Sequence, residues 1–251
     1  MGKRDTRILE VLTQRKRVEV VELARELGVS AVTMRKDLDA LEARGVIVRQ
    51  HGHAALGNPN DINGRLAYHY ETKQSIAARA CELVDDGETV MVESGSCCAL
   101  LASALDESGR SIVIVTNSAF IAGYVRNARS PRTVLLGGAY QNDAQVNVGP
   151  MVAQCAENFR VERLFIGVDG FTREQGFTNS DQMRAQAVRD MAARATEVVV
   201  LTESEKFDRS GVVPLNLGDK IRCVITDDGI APDIRARLEN DGVRVITVPA
   251  A

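Results

Sequence analysis

Residues 19–54 read EVVELARELGVSAVTMRKDLDALEARGVIVRQHGHA, and this stretch decides the N-terminal fold. Val20, Leu23, Ala24 and Leu27 recur at helical spacing, so 19–27 predicts an amphipathic helix that Gly28 ends. Ser30 follows as an N-cap, and Val32, Leu38 and Leu41 are the expected apolar anchors of the next helix, which ends near Gly45. Upstream, residues 4–14 predict a helix with Ile8, Leu9, Val11 and Leu12 toward one face. Downstream, VIVRQ and HGHAAL predict two short strands of a wing around a tight turn at Gly52, with Ile47, Arg49 and His51 alternating. Helix, helix, glycine turn and helix follow the arithmetic of a helix-turn-helix.

When such a unit docks on double-stranded DNA, its second helix enters the major groove. Ser30 and Thr33 then bond to base edges or phosphate, and Arg35 and Lys36 reach phosphate or guanine acceptors. Arg49 and His51 sit in the wing, within reach of the backbone or minor groove. The same pattern also suits a protein-interaction module, with Arg35 and Lys36 on a solvated face and Asp37 partly cancelling them; by pattern alone both readings stand.

The 251 residues carry a formal net charge of -3, which by itself argues against a nucleic-acid binder. The average hides an asymmetry: residues 1–56 hold 11 Lys or Arg against 8 Asp or Glu, and the remainder 20 against 26. A basic head on an acidic body fits one part facing phosphate and the other not. Hydrophobic residues make up 45% and charged residues 26%, an ordinary globular composition. Trp is absent and aromatics are only 4%, which speaks against stacking on single strands. The five cysteines are odd in number and none has CxxC spacing, so a structural zinc site is not expected. With no apolar signal segment and no bilayer-length run, the expectation is a cytoplasmic chain with free thiols.

GNPNDING, residues 57–64, reads as the start of a linker. Beyond it TVMVE, SIVIVT, TVLLG, RLFIGV, EVVVLT, RCVIT and VRVITV alternate with helical stretches such as 72–84, 97–107, 118–128, 181–196 and 231–239. That alternation predicts a mostly parallel α/β sheet. The expected organisation is an N-terminal winged helix-turn-helix over 1–56, a linker over 57–68, and a larger α/β sensor over 69–251. Polar loops follow several strands: ESGSCC (93–98), TNS (116–118), LGGAY (136–140) and GVDG (167–170). Ligands in such sheets sit beyond the carboxyl ends of the strands, and SGSC leading into a helix makes an anion cradle. No dinucleotide or Walker motif is present, so no cofactor is expected.

Residues 7–54 resemble the winged helix-turn-helix of the DeoR family of bacterial sugar-metabolism regulators. The family pattern is Ser, two residues, Thr, then Ile-Arg-Arg-Asp-Leu. Here Ser30, Thr33, Arg35, Asp37, Leu38, Leu41 and Glu42 match, while Met34 and Lys36 stand for Ile and the second Arg. In the wing His51, Gly52 and Ala54 match His-Gly-Gly-Ala, with His53 at the second Gly. Residues 71–228 resemble the family's sensor domain, which is similar in fold to ribose-5-phosphate isomerase. Lys73 takes the family's lysine position in ETKQSIA; Ser94 and Gly95 match in VESGSC, with Glu93 for Asp and with Ser96 and Cys97 for two threonines. Thr116, Asn117, Gly138, Asp169, Gly170 and Thr178 match further on, as does Lys206 in LTESEKF, with Glu203 for Asp. Where the family often carries a lysine, Val188 stands, with Arg189 beside it. The resemblance implies that Lys73, Ser94, Gly95, Ser96, Cys97, Thr116, Asn117, Gly138, Asp169, Gly170, Thr178 and Lys206 line a site for a phosphorylated sugar. It also implies a repressor on operator DNA; a homo-oligomer, dimer or tetramer, is expected because one small winged helix has a limited interface that two-fold pairing multiplies. The alternative reading is a sugar-phosphate isomerase using Glu93 or Asp169 as base, although no histidine follows His69.

Overall fold

The computed structural model describes residues 3–43, 47–56, 62–128 and 130–250. The chain divides into two compact units, Met1–Glu71 and Thr72–Ala251.

The first unit runs α1 (Lys3–Arg15), β1 (Arg17–Glu19), α2 (Val20–Glu26), α3 (Ala31–Ala43), β2 (Ile47–Gln50), β3 (His53–Leu56) and α4 (Ile62–Ala67). Its core joins Ile8, Leu9 and Leu12 of α1, Leu23 and Ala24 of α2, and Met34, Leu38 and Leu41 of α3, all buried. Gly28 adopts a left-handed φ of 66° just past α2. There the Val29 and Gly28 amides donate to the carbonyls of Ala24 and Arg25 at 2.9 and 3.3 Å, the bonding of a glycine-terminated helix. Ser30 Oγ accepts from the Thr33 amide at 3.1 Å, so the expected N-cap forms. The wing closes through His51 and Gly52, both at positive φ, as a two-residue hairpin turn requires.

Three expectations for this unit are corrected. Arg17–Glu19 form a strand, β1, antiparallel to β3, giving the sheet order β1-β3-β2. Val18 alone of the three is buried, so pairing with the wing overrides the helical pattern at Glu19. On α3 the inward face is Met34, Leu38 and Leu41, whereas Val32 is 73% exposed; two residues from Met34 it points to the opposite side. Within the expected linker, residues 57–61 lie outside the described residues. From Ile62 the chain is helical, with Ile62 and Leu66 buried one turn apart. The expected helix end near Gly45 also lies outside the described residues.

The second unit begins in α5 (Tyr70–Cys81) and continues through β4 (Thr89–Val92), α6 (Ser96–Glu107), β5 (Val113–Thr116), α7 (Ala119–Tyr124) and β6 (Arg132–Leu135). Next come β7 (Ala139–Gln141), β8 (Val146–Val148), α8 (Pro150–Ala156), β9 (Val161–Ile166), β10 (Gly170–Thr172), β11 (Gly176–Asn179) and α9 (Gln182–Ala192). It closes with β12 (Ala195–Leu201), β13 (Val213–Pro214), β14 (Ile221–Asp227), α10 (Pro232–Asn240) and β15 (Arg244–Val248). The seven apolar runs are the seven strands of one parallel sheet, ordered β15-β14-β12-β9-β4-β5-β6. Two small antiparallel pieces were not foreseen: the hairpin β7-β8 and the sheet β10-β11-β13. Their strands are two to four residues long, too short for alternation to stand out. Helix α7 is shorter than the expected 118–128 and stops at a cap on Val125.

The strand order reverses between β4 and β9. After β4 the chain adds β5 and β6 on one side, and from β9 it adds strands on the other. In open parallel sheets that point leaves a crevice beyond the carboxyl ends, where ligands bind.

Candidate nucleic-acid interface and ligand site

On α3 the side opposite the core carries Val32, Arg35 and Lys36, all exposed. Asp37, which in the sequence offsets the two cations, is instead held by Arg4 of α1: the Arg4 Nη2 donates to Asp37 Oδ1 at 3.2 Å, and Nε reaches Oδ2. The bond to Asp37 holds the Arg4 guanidinium above its ordinary value. Arg35 and Lys36 therefore face outward with the neighbouring Asp37 already paired. Ser30 Oγ lies 2.9 Å from Thr33 Oγ1, so both hydroxyls stand together at the amino end of α3. Arg49 is placed differently from expectation. Its backbone amide and Nε donate to Glu42 at 3.0 and 2.8 Å, and its Nη2 reaches Asp39, so this arginine braces the wing against α3. His51 occupies the exposed hairpin tip, and His53 Nε2 lies 3.7 Å from Glu19.

The candidate ligand site is built on two buried carboxylates. Glu93 follows β4; its Oε1 accepts from Ser94 Oγ at 2.7 Å, and its Oε2 accepts from the Gly95 and Gly167 amides at 2.9 and 3.1 Å. Gly167 follows β9, so Glu93 ties together the two loops that flank the strand-order reversal. A Cβ on Gly95 would stand 2.9 Å from Gly167 Cα, so this approach requires glycine. Gly95 is also the N-cap of α6 and supplies no side-chain cap, which leaves the first-turn amides at Ser96 and Cys97 without one.

Glu203 is the second carboxylate. Lys73 Nζ of α5 lies 2.8 Å from Glu203 Oε1, with both residues over nine-tenths buried. Cys97 Sγ approaches the other oxygen at 3.9 Å. Glu203 thus joins α5, the first turn of α6 and the one-turn helix Ser204–Asp208, which carries Lys206. Lys73 is therefore already paired with a carboxylate, so of these two lysines Lys206 is the one left to meet an anion. It has no salt-bridge partner among the described residues. Phe207 beside it packs with Phe171 and Phe177, ring centroids 5.5 and 6.1 Å apart, which fixes this turn on the small sheet.

Burial pushes the Cys97 thiol well above its ordinary value, and the Glu203 charge adds to the effect. Cys98 is raised likewise, by burial and then by Glu93. Neither thiol is a nucleophile near neutral pH. In the folded chain iodoacetamide at pH 7.5 should label Cys155 first, since it alone of the five thiols is not buried. Peptide mapping that finds Cys97 modified first would contradict this.

Asn117, at the end of β5, continues the register Met91↔Val115 to a position across from Glu93. It is 1% exposed, and its Nδ2 donates to the Asn147 carbonyl at 3.1 Å, while Oδ1 has no hydrogen-bond partner among the described residues. The Asn147 amide donates to the Asn117 carbonyl at 2.8 Å, and Asn147 Nδ2 to that of Leu136 at 2.8 Å. The β7-β8 hairpin is thereby pinned over the strand ends. Gly138 allows this fit, because a Cβ there would meet the Val148 carbonyl oxygen at 2.7 Å. Thr116 Oγ1 accepts from the Ser118 amide at 3.0 Å.

The remaining candidates hold backbone. Asp169 Oδ2 accepts from the Ser180 amide and hydroxyl at 2.8 and 2.6 Å. Thr178 Oγ1 accepts from the Gly211 amide at 2.7 Å, and Gly170 lies against the backbone of Arg209 and Ser210. Arg189 donates to the Pro214 carbonyl and to Gln186, so it does not replace the family's lysine. Arg184, in the first turn of α9, escaped the sequence reading: its Nη2 donates to Ser180 Oγ at 3.3 Å, and its buried Nε has no hydrogen-bond partner among the described residues. Only its place three residues after the Asp181 cap could have pointed to it. The two carboxylates an isomerase would use as base, Glu93 and Asp169, are both taken up by hydrogen bonds from backbone amides and serine hydroxyls, which suits a scaffold more than a base facing a substrate.

A winged helix-turn-helix joined to a parallel α/β domain whose strand order reverses between β4 and β9 defines a ligand-sensing DNA-binding regulator. The family model "DeoR C terminal sensor domain" matches residues 68–228, and "DeoR-like helix-turn-helix domain" matches residues 4–59. The chain belongs to the DeoR family, and it is a DNA-binding transcription regulator of carbohydrate metabolism rather than a catalyst. It is 29% identical over 253 residues to the putative aga operon transcriptional repressor of Escherichia coli O157:H7, covering 98% of this chain and 94% of that protein. It is 29% identical over 249 residues to the transcriptional regulator GlpR of Haloferax volcanii, covering 98% and 97%. Among solved structures, ribose 5-phosphate isomerase A from Methanocaldococcus jannaschii aligns with a TM-score of 0.41 at 19% identity, over 55% of each chain. No helix among the described residues is long and apolar enough to cross a membrane.

Proposed function

We propose that this regulator represses carbohydrate genes as a homo-oligomer on paired half-sites, and that a phosphorylated sugar bound at the β4–α6 loop controls it. The phosphate takes the amino end of α6, where the Ser96 and Cys97 amides and the helix dipole favour an anion, with Lys206 as counter-charge. The carrying observation is the buried Asn117 Oδ1, unpartnered among the described residues and one strand away from that helix end. Leaving such an acceptor unbonded costs about 1–3 kcal/mol, and a sugar hydroxyl supplies the missing donor. Its orientation is set, because flipping the amide would turn oxygen toward the Asn147 carbonyl. A phosphate at one end and a hydroxyl acceptor at the other select a sugar phosphate over either part alone. Ser30, Thr33, Arg35 and Lys36 contact the operator, with His51 at the wing tip.

Ser96→Asp tests the site cleanly, since Asp suits the first turn of a helix and leaves the Ser94–Glu93 bond intact. Two like charges about 4 Å apart at an effective dielectric of about 20 repel by about 4 kcal/mol, enough to weaken binding well over tenfold. Isothermal titration with a panel of pentose and hexose phosphates should show binding to the wild type, none for the unphosphorylated sugars, and none for Ser96→Asp. The variant should still bind operator but ignore the sugar phosphate. Wild-type affinity in a folded Ser96→Asp chain would place the phosphate elsewhere.

A further inference from the structure

The recognition helix displays one large apolar side chain that the core does not use. Val32 is 73% exposed, the second residue of α3 after the Ser30 cap. One turn on, Arg35 and Lys36 share its side of the helix, opposite Met34, Leu38 and Leu41. The hydroxyls of Ser30 and Thr33 flank it at the same helix end. With Asp37 neutralised by Arg4, the surface around Val32 is a small apolar spot framed by hydroxyls and outward cations.

We propose that Val32 reads a thymine methyl group in the operator's major groove. The major groove presents one apolar feature, the C5 methyl of thymine, and the amino-terminal residues of a docked recognition helix are those that reach base edges. A β-branched side chain with a single preferred rotamer in a helix offers two methyl groups at a defined place without loss of side-chain freedom. The flanking charge selects the partner: a protein surface seeking an apolar contact would be opposed by two unpaired cations, whereas a phosphate backbone attracts them. Arg35 and Lys36 then set the register, and Val32 supplies specificity that phosphate binding lacks.

The test uses the full chain and an operator duplex obtained by selection from a random library with that chain. Each thymine in a half-site is replaced singly by deoxyuridine, which removes only the methyl group and keeps base pairing. For the wild type, one position per half-site should lose about fourfold in affinity, the factor carried by one buried methyl-sized group. Val32→Ala should lose a comparable factor on the thymine operator and become insensitive to deoxyuridine at that same position. Val32→Thr, which keeps one γ-methyl, should remain sensitive. Because the side chain is exposed, none of these variants should change the melting temperature. Equal losses for Val32→Ala on both duplexes, or a wild type indifferent to every deoxyuridine, would overturn the assignment.

Discussion

Lys73→Met should lower the melting temperature of the second unit by on the order of 10 °C. The ammonium and the Glu203 carboxylate lie 2.8 Å apart and are 2% and 4% exposed. Removing one partner of a buried pair leaves the other charge desolvated and alone, at a cost of about 3–5 kcal/mol. For a unit of this size each kcal/mol shifts melting by about 2–4 °C. The pair as a whole carries far less net stability, because both charges gave up water to form it. Lys73→Met combined with Glu203→Leu should therefore regain most of the loss. Scanning calorimetry of the wild type, the single and the double variant measures this. A single variant that melts with the wild type would mean that Glu203 finds another donor or leaves the interior. On the proposed reading the pair also bears on sensing. Glu203 reaches α5, the first turn of α6 and, through its own one-turn helix, Lys206. An anion bound at the proposed site by α6 and Lys206 would therefore alter the field around a carboxylate that holds α5, the helix leading out of the first unit.

The second large effect is expected on DNA. Arg35→Ala with Lys36→Ala should weaken operator binding by about two orders of magnitude at 100 mM salt, because each neutralised phosphate releases counterions. The slope of log affinity against log salt should become shallower by about 0.9 for each phosphate that the variant no longer neutralises. Both side chains are exposed, so neither unit should change in stability. Fluorescence anisotropy across a salt series, with calorimetry on the same protein, separates the contributions. Undiminished affinity and an unchanged slope would remove both residues from the interface. Arg49→Ala is a useful contrast. Its guanidinium is taken up by Glu42 and Asp39, so its loss should loosen the wing and show first as reduced stability of the first unit.

Much of this architecture is written in local pattern. The seven Val- and Ile-rich runs became the seven parallel strands, because a strand buried on both faces must be apolar throughout. Gly28 and Ser30 marked the turn between α2 and α3, because one supplies the left-handed conformation and the other caps a free amide. The ESGSCC and TNS loops stood out as polar stretches at strand ends. Tertiary packing alone decided the rest. Val32 and Met34 are both apolar and two residues apart, and only the position of α1 and α2 determines which of them is core and which faces outward. Arg17–Glu19 became a strand because β3 offered it an edge. The partners of Lys73, Asp37 and Arg49 lie 130, 33 and as few as 7 residues away, and no spacing rule reaches across such separations. The sequence by itself determined the longer helices, the seven parallel strands and the kind of protein they build, since periodicity and caps act over a few residues. Which charges are spent on one another, and which remain for DNA or a ligand, was decided only when distant segments met.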